Sequence, residues 1–285
     1  MHLHFLGTID PQPFDQALHA ILKHYKLPEP LEIYILEHQR YGNLVLEHLP
    51  KEARTSFKIA LHAGTSFSYD YQNNHYIIIN LEGNKQAIYQ KNYLQGLLTH
   101  EILHSIHYAK KLYTSLQKDY KQYYLQPLAK LTLPQKKKNV LEHIGRSASL
   151  MLKDWYVNTE LIKKKEGKLL VDYYAINFTH KKTCPQPVFY EKLRPAVKKD
   201  PELLAIVFEF EFALLSFLLP LLKIHTKKAF AIRQHIESCY NLNMDEIERK
   251  LGSFVELYQD YFSPQKKFRK MFYTLLLEQT KNILN

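Results

Sequence analysis

Five consecutive residues carry the densest chemistry in this chain: His100-Glu101-Ile102-Leu103-His104. On a helix, positions i and i+4 lie one above the other on the same face. Two imidazoles so placed can bind one Zn²⁺ ion at about 2.0–2.1 Å each. Glu101 follows the first histidine, so it projects beside such a metal and not at it. There it can take a proton from a zinc-bound water and pass it to a leaving amine. The flanks Leu98-Thr99 and Ser105-Ile106 and the inner pair Ile102-Leu103 are uncharged, as a helix buried through the middle of a domain requires. The plainer alternative is a helix with two ordinary histidines and a solvated glutamate.

A catalytic zinc usually keeps three protein ligands and one open position. His107 is the nearest further candidate. A helix rises 1.5 Å per residue, so His100 and His107 would sit about 10 Å apart along the axis. His107 is therefore expected to support or pack beside the site. The next long helix, near Val140–Lys165, offers carboxylates. Glu142–Arg146 and Glu160–Lys164 are opposite charges at i,i+4 and read as solvated surface pairs. Asp154 shares its face with Ser147, Leu150, Met151, Asn158, Leu161 and Ile162. A carboxylate in an apolar stripe needs a partner, because an unpaired buried charge is costly. A zinc ion is such a partner; a lysine or a helix cap is another. Glu160 and then Glu142 stand behind Asp154 as alternatives. A hydrolase also needs a donor for the developing oxyanion. His143, Tyr156, Tyr173 and Tyr174 are candidates, and the sequence does not choose among them.

The segment before the motif, Asn74-His75-Tyr76-Ile77-Ile78-Ile79-Asn80-Leu81, is a β-branched run that reads as a strand. Glu82-Gly83-Asn84 breaks it, and a helical pattern runs from near Lys85 to about Leu116. From roughly Phe57 to Ile162 the chain resembles the zincin metallopeptidases, and more narrowly the gluzincins. The resemblance implies one Zn²⁺ per chain, with Glu101 as general base and then acid. It also implies an edge strand at Tyr76, Ile77, Ile78 and Ile79, to which a peptide substrate adds. Gluzincins commonly use glutamate as third ligand, which keeps Glu160 in view. The string Leu150–Leu161 is also similar to the D-x-x-[hydrophobic]-N-x-x-L helix of metallopeptidase-like domains. In some bacterial and archaeal proteins these precede a von Willebrand A-like domain. There the aspartate is taken as the third metal ligand. That match implies the role for Asp154, with Asn158 supporting it from i+4. The chain departs from those proteins in having no D-x-S-x-S motif and a helical C-terminal half.

At 285 residues and 46% hydrophobic, the chain can bury a sizeable core. Its formal charge is +11, with lysines in short runs such as Lys136–Lys138, Lys163–Lys165, Lys227-Lys228 and Lys266-Lys267. These fall at helix ends or connections, and cations at helix C-termini are favourable. A nucleic-acid or acidic partner could act through the net field, but no helix-turn-helix, zinc-finger or ribonucleoprotein signature supports it. The start Met1-His2-Leu3-His4-Phe5-Leu6 lacks the basic opening of a signal peptide. Cys184 and Cys239 are too few for a disulfide framework and read as reduced thiols of a cytoplasmic protein, with one disulfide as the alternative. The most apolar stretch, Leu203–Leu222, carries Glu209 and Glu211 and reads as a buried helix rather than a membrane span. At least one of those carboxylates needs a partner, and the surplus lysines supply candidates.

The elements expected to position these residues are a first helix near Pro13–Tyr25 and strands at Leu31–Leu36, Phe57–His62 and Tyr76–Leu81. After Lys85 the pattern is almost wholly helical, with late helices near Pro201–Lys223, Lys227–Tyr240, Asp245–Phe262 and Lys266–Leu284. The fold class is α+β. A lobe over residues 1–120 holds a small sheet and the HExxH helix, and a mainly helical lobe over 121–285 supplies the third ligand. The boundary near 120 is soft. No G-x-G-x-x-G, Walker A or G-x-S-x-G is present, which excludes the common phosphate-loop and serine-hydrolase signatures. The leading function is a cytoplasmic zinc metallopeptidase acting on a peptide or protein. The alternative is a catalytically inactive metal-binding interaction or regulatory protein with a basic surface, associated with nucleic acid in one version. A nucleic-acid-associated protease similar to Spartan-type enzymes is a third reading, but their further downstream histidines are not seen.

Overall fold

The structure is a computed structural model that describes residues 1–62, 66–82, 85–90, 92–179, 200–224, 226–262 and 265–284. It is a mixed α+β chain, mainly helical, with one four-stranded sheet. It divides into two compact units, Met1–Lys111 and Leu112–Asn285.

The first unit is built on β1 (His2–Leu6), β2 (Leu31–Leu36), β3 (Phe67–Tyr71) and β4 (Asn74–Asn80), in the spatial order β1-β2-β4-β3. β1, β2 and β4 are parallel, and β3 joins β4 antiparallel. Gln72 and Asn73 both have positive φ, the backbone of a two-residue type I′ hairpin turn. Side chains alternate across a strand. Tyr34, Leu36, Tyr76 and Ile78 therefore share one face, which packs on Val45 and Leu49 near α2 (Gly42–His48) and on Ala53 and Phe57 of α3 (Lys51–His62). Ile33, Ile35, Ile77 and Ile79 fill the other face and are fully buried. α1 (Gln12–Leu22) and α4 (Tyr93–Ala109) pack together, and α4 also packs on β3 and β4.

Three expectations fail in this unit. Phe57–His62 is the second half of α3 and not a strand. The alternation of Phe57, Ile59 and Leu61 suggested a pleat, but Ala53 and Phe57, both buried, are one helical turn apart behind a helix-favouring Lys51-Glu52-Ala53-Arg54 start. β1 was not anticipated. Tyr76, Ile77, Ile78 and Ile79 do not form an edge, because β4 lies between β2 and β3. A run that is apolar at every position has both faces buried, which is the signature of an interior strand. Among the described residues the edges are β1 and β3. The helical pattern from Lys85 also breaks. A 3₁₀ turn at Lys85–Tyr89 precedes α4, and Lys111 takes the left-handed conformation (φ 58°) after it.

The second unit is helical. α5 (Leu112–Tyr120), a π-helical turn (Lys121–Leu125) and α6 (Gln126–Ala129) follow one another, then the long α7 (Gln135–Lys163) and α8 (Gly167–Thr179). After them come α9 (Pro201–Leu222), α10 (Lys227–Tyr240), α11 (Met244–Lys250), α12 (Gly252–Tyr261) and α13 (Lys266–Leu284). Trp155 of α7 is the hub of an aromatic core, with Phe212, Tyr258, Phe262 and Phe272 at ring-centroid distances of 4.9–6.3 Å. Gly145 lets α7 lie close to Tyr120 and Tyr124; a Cβ there would fall 2.5 Å from a Tyr124 ring carbon.

The apolar stretch Leu203–Leu222 lies within α9, and no described helix is long and apolar enough to cross a membrane. Glu211, which is buried, pairs with Lys250, and Glu209 lies 3.1 Å from His143. Cys239 is disulfide-bonded, which corrects the expectation of a thiol there. Cys184 lies outside the described residues.

Candidate metal centre

α4 carries the histidine pair, and its burial follows from its sequence. Leu94, Leu97, Leu98, Ile102, Leu103 and Ile106 place apolar groups around most of the helix, and every residue from Gly96 to His107 is buried. The helix therefore holds His100, Glu101 and His104 at under 10% exposure, where polar side chains are rarely left unused.

His100 and His104 converge. Their Nε2 atoms lie 3.1 Å apart, with ring centroids 4.8 Å apart and planes at 74°. Two nitrogens bound to one tetrahedral zinc at ordinary bond lengths would be about 3.3 Å apart. The observed spacing is close to that bite. Two neutral imidazoles that turn Nε2 toward Nε2 need a shared proton or a cation between them, since two lone pairs repel. The pair thus has the donor type, spacing and burial of a two-histidine metal half-site.

Around Glu101 the first unit gathers groups that the sequence reading passed over. Burial pushes the Tyr108 hydroxyl up to about 12, and the carboxylates of Asp70 and Glu101 push the same way. Tyr108 stands seven residues after Glu101 and four after His104, so a sorting of helix faces could have found it. Asp70 on β3 faces His75 on β4 across the hairpin, with Oδ1 3.0 Å from Nδ1 but not aligned for a hydrogen bond. Burial lowers the His75 pKa, partly offset by Asp70. Burial raises that of Asp70, partly offset by His75. Only the register of the hairpin makes these two neighbours.

The second unit holds the remaining candidates. Asp154 is half-buried in the middle of α7. The apolar stripe expected around it is incomplete: Asn158 and Leu161 are buried, while Leu150 is 60% exposed. Next to it, burial lowers the pKa of Lys153, whose ammonium lies 4.9 Å from the ring centroid of Tyr113. Asn158 is fully buried and donates to the Tyr174 hydroxyl at 3.0 Å, so each is committed to the other. Tyr156 turns into the core, 5.5 Å from the Phe262 ring centroid and close to Arg269, and burial raises its pKa far beyond the usual range. Tyr173 lies against Tyr174 at 5.0 Å. His143 is solvent-facing, with Nε2 3.1 Å from Glu209 Oε1 but not aligned for a hydrogen bond. Glu142 and Glu160 form the surface pairs expected of them, 3.6 Å from Arg146 and 3.8 Å from Lys164. His107 is buried in the last turn of α4.

Compared with family models, with curated proteins and with solved structures, the chain gives no significant match to any of them.

Proposed function

We propose that the protein is a zinc-dependent metallopeptidase in which His100, His104 and Asp154 hold the ion. The observation that carries the reading is the buried HExxH helix whose Nε2 atoms face each other at 3.1 Å, with Glu101 between them in sequence. Among the described residues, His100, His104 and Asp154 are also the one group of three or more His, Cys, Asp and Glu side chains that could hold a metal ion. Two imidazoles and one carboxylate suit zinc and leave a ligand position for reactants. When bound, the ion supplies Lewis acidity toward a carbonyl and makes water a stronger acid.

The chain's own residues supply the proton chemistry in this proposal. Glu101 accepts the proton of the attacking water and returns it to the leaving amine nitrogen. Burial favours such a base, because proton transfer there does not compete with bulk solvent. β3, the edge strand that packs against α4, takes an extended peptide as an added strand through its free backbone groups. This moves the substrate-strand role from β4 to β3.

The test is elemental analysis of protein purified without chelator, beside His104→Ala. About one zinc per chain, lost in the variant, supports the site. Absence of metal in the wild type even after zinc is added would overturn it. Glu101→Gln should retain the metal and lose peptide cleavage. Cleavage at the wild-type rate would remove Glu101 from the mechanism.

A further inference from the structure

Charge is divided unequally along the chain. Residues 1–111 contain ten basic and ten acidic side chains, and residues 112–285 contain 29 and 18. The whole surplus of +11 therefore belongs to the second unit. Part of it is concentrated on one face. Lys118 of α5, Lys121 of the π turn, and Lys266, Lys267 and Lys270 of α13 are all exposed. Two contacts fix these elements side by side. Arg269 pairs with Asp119 at 2.5 Å, and the Lys270 ammonium lies 5.9 Å from the Tyr123 ring centroid.

We propose that this five-lysine face binds the phosphate backbone of duplex nucleic acid without sequence preference. Lys118, Lys121, Lys266 and Lys267 make no ion pair with any described residue. Of the described acids nearby, Asp119 is engaged by Arg269 and Glu142 by Arg146. Lys266 and Lys267 also sit where helix stability does not ask for them, whereas Lys118 falls in the last turn of α5. α13 opens on Lys266 and Lys267 with no acid in its first turn, and α7 opens with Lys136–Lys138 in the same way. Cations at helix N-termini oppose the macrodipole, whereas phosphate there is favourable. A solubilising charge would be better placed as Lys163–Lys165 are, at a C-terminus.

The chemistry of the face selects among polyanions. Among the residues whose burial is described, none of the large exposed hydrophobics belongs to α5, the π turn or α13, which gives this face little to insert into a lipid interface. Tyr123 is half-buried beneath Lys270 and offers no platform on which an unpaired base could stack. What remains is an array of point charges suited to backbone phosphates. The inference does not depend on the metallopeptidase reading.

The experiment is a fluorescence-anisotropy titration of a labelled duplex DNA with the full chain at several salt concentrations. Five phosphate contacts predict a log K against log salt slope of about −4.5. K118Q/K121Q/K267Q/K270Q should bind at least about tenfold more weakly, with a slope shallower by about 3.6. K163Q/K165Q/K168Q/K227Q removes the same charge elsewhere and should lose about threefold or less. Circular dichroism checks that both variants fold. Equal losses in the two variants would overturn the assignment of this face. So would no duplex binding at about 50 mM salt, or binding to phosphatidylserine vesicles but not to duplex.

Discussion

Arg269 of α13 and Asp119 of α5 form a buried ion pair, Nε to Oδ2 2.5 Å, with side-chain exposures of 8% and 7%. The pair crosses 150 positions of sequence and ties the C-terminal helix to the first helix of the second unit. Breaking such a pair from one side leaves an uncompensated buried charge, at about 3–5 kcal/mol. Arg269→Met is therefore expected to lower the thermal midpoint sharply. The double replacement Asp119→Leu with Arg269→Met should recover most of the loss. A double variant no more stable than the single would show that the cost lies in lost packing and not in the stranded carboxylate.

Gly145 gives a second, purely steric prediction. A methyl group there meets Tyr124 at 2.5 Å and Tyr120 at 2.9 Å. The Tyr124 hydroxyl is anchored by donation to the Leu141 carbonyl at 2.7 Å, so the ring cannot swing away cheaply. Overpacking of this kind costs about 1–3 kcal/mol, even though alanine is the better helix former. Thermal denaturation of Gly145→Ala should show a lower midpoint. An unchanged or higher one would mean that α7 can move off the tyrosine pair.

The third ligand is decided by comparing three carboxylates. Asp154→Ala is expected to lower zinc content to well below half the wild-type value. Glu142→Ala and Glu160→Ala should leave it unchanged, because those carboxylates sit in surface pairs with Arg146 and Lys164. Zinc lost from Glu160→Ala and kept by Asp154→Ala would transfer the role.

The Asp70–His75 contact makes a pH prediction. Burial lowers the folded-state pKa of His75 below its unfolded value near 6.5. The unfolded state then binds more protons once the pH drops through that value, so stability is retained above it and declines below. Asp70 acts in a separate window. Its raised pKa makes the folded state the better proton acceptor just above 3.8, which opposes the decline only at lower pH. Between pH 7.5 and 5.5 the thermal midpoint should therefore fall more in the wild type than in His75→Gln. Equal slopes would mean that His75 is not a source of acid sensitivity.

The closeness of the two histidines was more legible than the architecture that holds them. His100, Glu101 and His104 announce themselves because a helix converts spacing directly into proximity. The strand at Leu31–Leu36 and the helices at Lys227–Tyr240 and Lys266–Leu284 were equally plain from periodicity and breakers. Phe57–His62 misled because an alternating apolar pattern six residues long fits both periods, and only the preceding turn resolves it. Tyr76–Ile79 was rightly a strand but wrongly placed at the rim, since strand order depends on partners remote in sequence. Tyr156 and Asn158 looked available for chemistry in one dimension. Each turns out to face a core whose other half comes from Phe262, Arg269 or Tyr174. The lysine runs do sit at helix ends, but several sit at the end where the helix field repels them.

The parallel arrangement of β1, β2 and β4 has a consequence for the order in which the first unit assembles. His2 pairs with Glu32, and Leu31 pairs with His75, so each parallel ladder closes a long loop. Only the β3–β4 hairpin, turning at Gln72 and Asn73, is local. Rapid early structure should therefore be confined to that hairpin, with β2 and then β1 recruited as slower, higher-contact-order events. During synthesis the first strand emerges long before the strand that supports its neighbour. It must wait unpaired until β4 appears, a few residues ahead of the helix that bears the two histidines. The sheet and the histidine pair are thus finished almost together, and a ribosome-bound fragment ending before Asn74 should have neither.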